Sequence, residues 1–406
     1  MKKLGLTIGL CLVMVVSFGQ KKNVADALKI AKDPKGNFEE ARTKIKDALQ
    51  HPETKDDAKT WFTAGQIENF QFDKESTKQI LGQQPNEVVM YNALYEVYPY
   101  FIKAYELDQL PDAKGKVKPK YAKDMKSIMK ANFPYYINGG AYFFENNNYQ
   151  KAYDFFDQFV VAYDSPLMKD GEAVAPVDSN YIWANYYAAI AASTLDHETA
   201  IKAMKRAIKN DYKQYDMYQG LIETYRDQND KENMETTLIE ALSMFPNDSY
   251  LLVNLAINYI EADKNDKAID YILTAIKNDP TNTQFYDLAG YIYENGFKDN
   301  AKAEEYFVKS VELNPDNADS QSNLGRIYFN QGVAQLDIAN EIADVRKYNE
   351  ERDKAKLLFK KALPYFEKSY QLNPEPMDIK IALRSIYYNL DMGEKLEEIS
   401  KILGDE

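Results

Sequence analysis

Four tyrosines recur at a nearly constant step through the second half of the chain. Tyr225, Tyr259, Tyr293 and Tyr328 lie 34, 34 and 35 residues apart. Leu221, Leu255, Ala289 and Leu324 keep the same steps, and so do Pro246, Pro280 and Pro315. Ala241 and Ala275 continue the pattern, with Ser310 in third place. A period of this length marks a chain built from stacked copies of one supersecondary unit, each of which needs its neighbours to bury its apolar face.

One complete copy runs from Leu251 to Pro280, "LLVNLAINYIEADKNDKAIDYILTAIKNDP". Leu252, Leu255, Ala256 and Tyr259 have helical spacing. "ADKND" interrupts it, and Ala268, Ile272, Ala275 and Ile276 form a second helical stripe. Pro280 ends that stripe, because proline cannot continue a helix. Ala256 and Ala268 allow the two helices to approach closely, while Tyr259 and Ile272 fill the space beside them. This unit resembles the tetratricopeptide repeat, a 34-residue helical hairpin of pattern W-x2-L-G-x2-Y, A-x3-F, P. Further copies read as Gly140, Phe143, Ala152 and Phe156, then as Ala188, Ala200 and Ala207. Trp61, Ala64 and Gly65 open another, and 37–52 reads as the second helix of the first. The resemblance implies an all-α, right-handed α-solenoid of about eight hairpins over residues 20–376. Residues 377–406 would close it as a C-terminal capping helix pair.

Two copies carry insertions, near 71–97 and 331–357. In "SNLGRIYFNQG" the repeat opens at Leu324–Gly325, but its second-helix alanine, Ala362, comes 25 residues late. Leu336, Ile338, Ile342 and Val345, then Leu357 and Leu358, keep helical spacing through the gap. The spacing predicts two lengthened arms with a turn near Tyr348, each about 18 Å longer at 1.5 Å per residue, and a kink at Pro364. In the other insertion "FDKESTKQILGQQPNE" is polar and reads as irregular. A lysine-rich loop, Lys114 to Lys123, follows it.

Residues 1–19 read as a signal peptide. Lys2 and Lys3 precede an apolar run from Leu4 to Phe18, with Ser17 and Gly19 as the small residues before the cut. The expected mature chain starts at Gln20, and its charge moves from -13 to -15. The single cysteine, Cys11, lies inside the run. It reads as a leader residue and not as a lipidation site, because Leu10 precedes it. The protein is therefore expected in the periplasm or secreted, not as a lipoprotein, and its look resembles exported repeat proteins of Gram-negative bacteria. No transmembrane segment is expected in the mature chain. The acidic balance argues against nucleic acid as a partner.

No catalytic, metal or cofactor motif is present. The two histidines, His51 and His197, fall at turns with no second ligand near them in sequence. The chain reads as no enzyme, with no cofactor. In tetratricopeptide proteins that bind extended peptides, the residue before the Leu-Gly pair points into the concave groove and is often Asn. By that resemblance the candidate peptide-binding residues are Asn138, Asn254 and Asn323, with Asn185 and Gln219 one residue earlier in their copies. Gly220 and Leu288 interrupt the column. The other reading is that Asn is simply tolerated on a polar face. The expected function is a non-catalytic scaffold or adaptor binding a protein or extended peptide. A glycan-binding role in an envelope uptake system is the alternative, and an unrecognised carboxylate enzyme site in the insertions is a third reading. Partner identity and oligomeric state are open.

Overall fold

The computed structural model describes residues 20–169 and 179–404. The expected signal peptide therefore lies outside the described residues. All secondary structure among the described residues is helical. The chain divides into two compact units, Met1–Thr224 and Tyr225–Glu406.

The first unit begins with α1 (20–32). It continues with α2 (Phe38–Gln50), α3 (Ala58–Ile80), α4 (Glu87–Asp108), α5 (Ala122–Glu145) and α6 (Tyr149–Tyr163). A short α7 (Pro166–Lys169), α8 (Ser179–Ala192) and α9 (His197–Ala207) follow, and α10 (Gln214–Asp227) contains the unit boundary. The second unit adds α11 (Lys231–Met244), α12 (Ser249–Glu261), α13 (Asn265–Asn278), α14 (Thr283–Tyr291) and α15 (Asn300–Leu313). It ends with α16 (Ala318–Asn340), α17 (Val345–Leu372), α18 (Met377–Asn389) and α19 (Gly393–Leu403). Paired in order, with α7 set aside, these make eight hairpins and the closing pair α18–α19. This is the all-α tetratricopeptide-like array that the period predicts.

The hairpin turn is encoded locally. The peptide N–H of Asp230 donates to Tyr225 O, and those of Lys264 and Met392 donate to Tyr259 O and Tyr387 O, at 2.8–2.9 Å. Asn229, Asp263 and Asp391, just before these donors, are left-handed, with φ of 54°, 56° and 57°. This is a helix C-terminal motif in which one left-handed residue lets the chain reverse and satisfies an orphan carbonyl. Asn and Asp tolerate that conformation better than most residues. In the repeat whose following step is 35, Tyr293 O accepts instead from Asp299, six residues on, with Lys298 left-handed. The extra residue is absorbed by a π-helical turn, Ile292–Gly296, that continues α14.

The period tyrosines also join neighbouring hairpins. Tyr259, Tyr328 and Tyr387 donate to Glu235, Glu304 and Glu367 on the second helix of the hairpin before, at 2.8–3.0 Å. The Tyr259 ring stacks on Tyr271 at 5.7 Å, and Tyr293 stacks on Tyr306 at 5.4 Å. The ammonium groups of Lys267, Lys302, Lys361 and Lys395 lie 4.9–5.6 Å from the faces of Tyr259, Tyr293, Tyr328 and Tyr387. Each ring thus draws on several of three contacts: burial, a charge-assisted hydrogen bond and a cation–π contact.

Both insertions are helical. α3 runs through Ile80, so "FDKESTKQI" is not irregular, and only 81–86 separates α3 from α4. Phe72 is buried there, and Glu75 is held by Lys78 Nζ and by the peptide N–H of Asn86. The polar composition misled because these polar side chains have partners. In the other hairpin the turn is 341–344, earlier than Tyr348, because Asp344 caps α17 by accepting from Lys347 N at 2.9 Å. Phe366 packs on Gly325 and Phe359 on Gly332, seven residues apart on each arm, which sets the antiparallel register. The helix α17 continues through Pro364. The lysine-rich segment is a loop before α5, with Lys114, Lys116, Lys118 and Lys120 exposed. It is anchored by the Asp108 carboxylate, which accepts from the peptide N–H groups of Lys120, Tyr121 and Ala122.

Candidate binding site

The candidate amides do not share one environment. In the first unit Asn138 is exposed on α5, with no hydrogen-bond partner among the described residues. Gln219 is half-buried, and its Nε2 is 3.5 Å from Tyr215 Oη. Asn185 is a correction: it is 0 % exposed and donates to Tyr181 O at 2.9 Å. One residue of offset on α8 turns its side chain by about 100°, away from a groove and into the packing between helices. Its Oδ1 is buried without a partner.

In the second unit Asn254 and Asn323 are half-buried on α12 and α16. Asn254 Nδ2 donates to Tyr250 O at 2.7 Å, and its Oδ1 accepts from Arg226 Nη2 at 2.6 Å. Asn323 Oδ1 accepts from Arg326 Nη2 at 3.2 Å. Arg326 is also paired with Glu294. Beside Asn323, burial raises the pKa of Asp287, while hydrogen bonds from Ser320, Ser310 and Asn323 oppose the shift. An amide offers two N–H donors and two acceptor lone pairs, so Asn254 keeps one of each for a ligand.

Of the five amides, Asn254 lines a cavity. Its volume is about 250 Å³, and Tyr225, Arg226, Met234, Ile257 and Asn258 also line it. Asn258 lies one turn along α12 from Asn254 and was not apparent as a candidate, although its i+4 spacing was readable. It is 2 % exposed, and its Oδ1 is buried without a hydrogen-bond partner among the described residues. Leaving such a group unsatisfied costs about 1–3 kcal/mol, a cost that an incoming donor would remove.

The first unit holds a larger cavity, of about 1280 Å³, between α2, α3 and α4, with Lys151 of α6 at its edge. Trp61, Tyr95 and Tyr100 supply aromatic lining. The Trp61 and Tyr100 ring centroids are 6.2 Å apart, and Trp61 Nε1 donates to Lys55 O at 2.6 Å. Across them Arg42 Nε and Nη2 bond both oxygens of the buried Glu68 at 2.8 and 2.6 Å, and Nη1 bonds Glu39 at 2.7 Å. Surrounding packing and the neighbouring Glu68 raise the pKa of Glu96, with Arg42 opposing them. Sequence reasoning missed this cavity because its walls come from residues up to 112 positions apart, Glu39 to Lys151.

His51 and His197 sit at helix ends. Among the described residues no group of three or more His, Cys, Asp or Glu is placed to hold a metal ion, and no helix is long and apolar enough to cross a membrane.

Residues 283–317, the repeat that spans α14 and α15, match the family model described as tetratricopeptide repeat. The chain carries a tetratricopeptide repeat. No curated protein matches its sequence. Among solved structures, a TPR-repeats protein from Bacteroides fragilis NCTC 9343 is 20% identical, over 63% of this chain and 98% of its own, with a TM-score of 0.31. A thermophilic TPR protein from Thermus thermophilus is 14% identical over 51% and 99%, with a TM-score of 0.34. MamA from Desulfovibrio magneticus RS-1, starting at residue 41, is 15% identical over 48% and 97%, with a TM-score of 0.36.

Proposed function

We propose that the protein is an exported, non-catalytic tetratricopeptide scaffold that binds a partner protein through an extended segment. The observation that carries this reading is the Asn254–Asn258 pair. Two amides one helical turn apart line one cavity, and the carbonyl oxygen of one of them, Asn258, is buried without a hydrogen-bond partner among the described residues. A peptide backbone alternates N–H donors and C=O acceptors, and an amide side chain can meet either.

The test uses a displayed library of random decapeptides, selected on the parent protein and re-measured on Asn254→Ala/Asn258→Ala. Each lost hydrogen bond contributes about 0.5–1.5 kcal/mol, so the pair is expected to weaken selected peptides by roughly five- to 150-fold. Affinities are compared at matched thermal stability, because Asn254→Ala also removes the bonds to Tyr250 O and from Arg226. Selected peptides that bind both proteins equally would remove the second unit's cavity from the reading. Replacing Asn323 as well extends the test to the next candidate amide.

Export rests on the charged start, the apolar run and the small residues Ser17 and Gly19. Cleavage after Gly19 is the expected processing event. Intact mass of the protein recovered from the cell envelope should correspond to a chain starting at Gln20. Retention of residues 1–19, or a lipid adduct, would contradict it.

A further inference from the structure

We infer that the cavity lined by Asn254 and Asn258 takes an uncharged amide side chain, glutamine or asparagine, from the partner segment. This rests on the scaffold reading and names what that site selects. The deciding atom is Asn258 Oδ1, buried without a hydrogen-bond partner among the described residues. Asn258 is 2 % exposed and lines the cavity. An acceptor in that position needs an N–H or O–H donor. One turn away on α12, Asn254 has used one N–H on Tyr250 O and one lone pair on Arg226 Nη2. It retains one donor and one acceptor. Cβ atoms four residues apart on a helix are about 5–6 Å apart, a spacing that one carboxamide can bridge. Its N–H would donate to Asn258, and its C=O would accept from Asn254. A hydroxyl carries both functions on one oxygen, whereas a carboxamide carries them on separate atoms and so matches two amides on successive turns.

The charges around the cavity argue for a neutral occupant. Its lining is formally neutral, with Arg226 and Lys231 against Asp230 and Glu261. Lys231 pairs with Glu261 at 2.8 Å. Asp230 accepts from Asn233 N and Nδ2 at 3.1 and 2.7 Å. A lysine or arginine from a partner would find both carboxylates engaged and would lie beside Arg226. A glutamate or aspartate could approach Arg226, but it brings no donor and would set an anion against the buried Asn258 oxygen.

Size points the same way. The cavity of about 250 Å³ is below the range of about 300–1,000 Å³ that holds whole small-molecule ligands, and it suits one side chain. Met234 and Ile257 give it apolar wall against which the methylenes of a glutamine stem can pack.

The probes are the random decapeptides selected on the parent protein. Their sequences should share one position enriched in glutamine or asparagine. The tightest is resynthesised with glutamine, methionine, glutamate or lysine at that position, and each version is titrated calorimetrically against the full protein. The glutamine version is expected to bind best. Methionine has a similar shape and no donor, and should be weaker by about five- to 150-fold for two lost hydrogen bonds. Glutamate and lysine should lose at least as much. Asn258→Leu should reverse the order of glutamine and methionine. That variant exchanges an unsatisfied polar group for an apolar one of similar size, so the fold should persist, and its unfolding temperature checks this. Should it not fold, the peptide series on the parent still decides. Asn349→Leu, at an exposed position on α17, should leave the order unchanged.

Equal binding of the glutamine and methionine versions by the parent would overturn the inference. So would enrichment of an acidic, basic or hydroxyl residue at the shared position, the lack of any shared position, or an unchanged order in Asn258→Leu. If the selected peptides still lose affinity in Asn254→Ala/Asn258→Ala, the scaffold reading stands without this inference. Failure to select any peptide would defeat both.

Discussion

Replacing Phe307 by alanine is expected to destabilise the second unit by about 3–5 kcal/mol, the range for deleting a buried phenylalanine. Phe307 is 0 % exposed and belongs to the apolar core of that unit. Its ring lies against Gly290 of α14, where a Cβ would fall 2.5 Å from it. The glycine is needed for close approach of a ring to a helix backbone. Alanine at 307 leaves a cavity that two helices can collapse into only partly. Urea unfolding measures the loss, and amide hydrogen exchange should place it between α14 and α19. A cost below about 1 kcal/mol would mean that the hairpin stack is not held by these ring-on-glycine contacts. The converse change, Gly290→Val, is expected to act in the same direction by forcing the ring away.

Alkaline pH should unfold the protein cooperatively between about pH 10 and 12. Burial raises the phenol pKa of Tyr91, Tyr181 and Tyr259 to about 12, and raises Tyr136, Tyr328 and Tyr387 as well. After burial, the carboxylate that accepts its hydrogen bond adds to the shift: Glu235 for Tyr259 and Glu304 for Tyr328. Ionising such a ring would place two anions side by side. An unfolded tyrosine loses its proton near about pH 10. Above that pH the unfolded state therefore binds fewer protons than the folded one, and stability falls as pH rises. The contribution is complete below about pH 10 and lost as pH passes the folded pKa. Helical ellipticity and tyrosinate absorbance, followed together, should change in one step. Smooth titration of all tyrosines near pH 10 with helicity intact to about pH 12 would refute the inter-hairpin role of these rings. Tyr259→Phe removes one titrating group together with its bond to Glu235, and should make the loss less steep with pH.

The local parts of this molecule were legible in the chain itself. Hairpin ends follow from the spacing after each period tyrosine and from Asn229, Asp263 and Asp391, which accept a left-handed turn. These are interactions within five or six residues, so the sequence specifies them without reference to the rest of the fold. The recurrence of Tyr259, Tyr293 and Tyr328 was likewise sufficient for the stacked helical hairpins and for the closing pair, because each copy must cover the apolar face of the one before.

Tertiary packing decided what each polar side chain does. Asn185 and Asn254 are the same residue type at nearly the same repeat position. One is sealed between helices and the other lines a cavity, because side-chain direction on a helix turns by about 100° per residue. The stretch from Phe72 to Ile80 looked irregular, yet it is helix, since the partners of Glu75 lie at Lys78 and Asn86. The first unit's cavity of about 1280 Å³ is lined by Arg42, Glu68, Glu96 and Lys151, which meet only when separate hairpins stack. Period and turn chemistry are properties of neighbours along the chain, whereas burial and charge pairing are properties of neighbours in space.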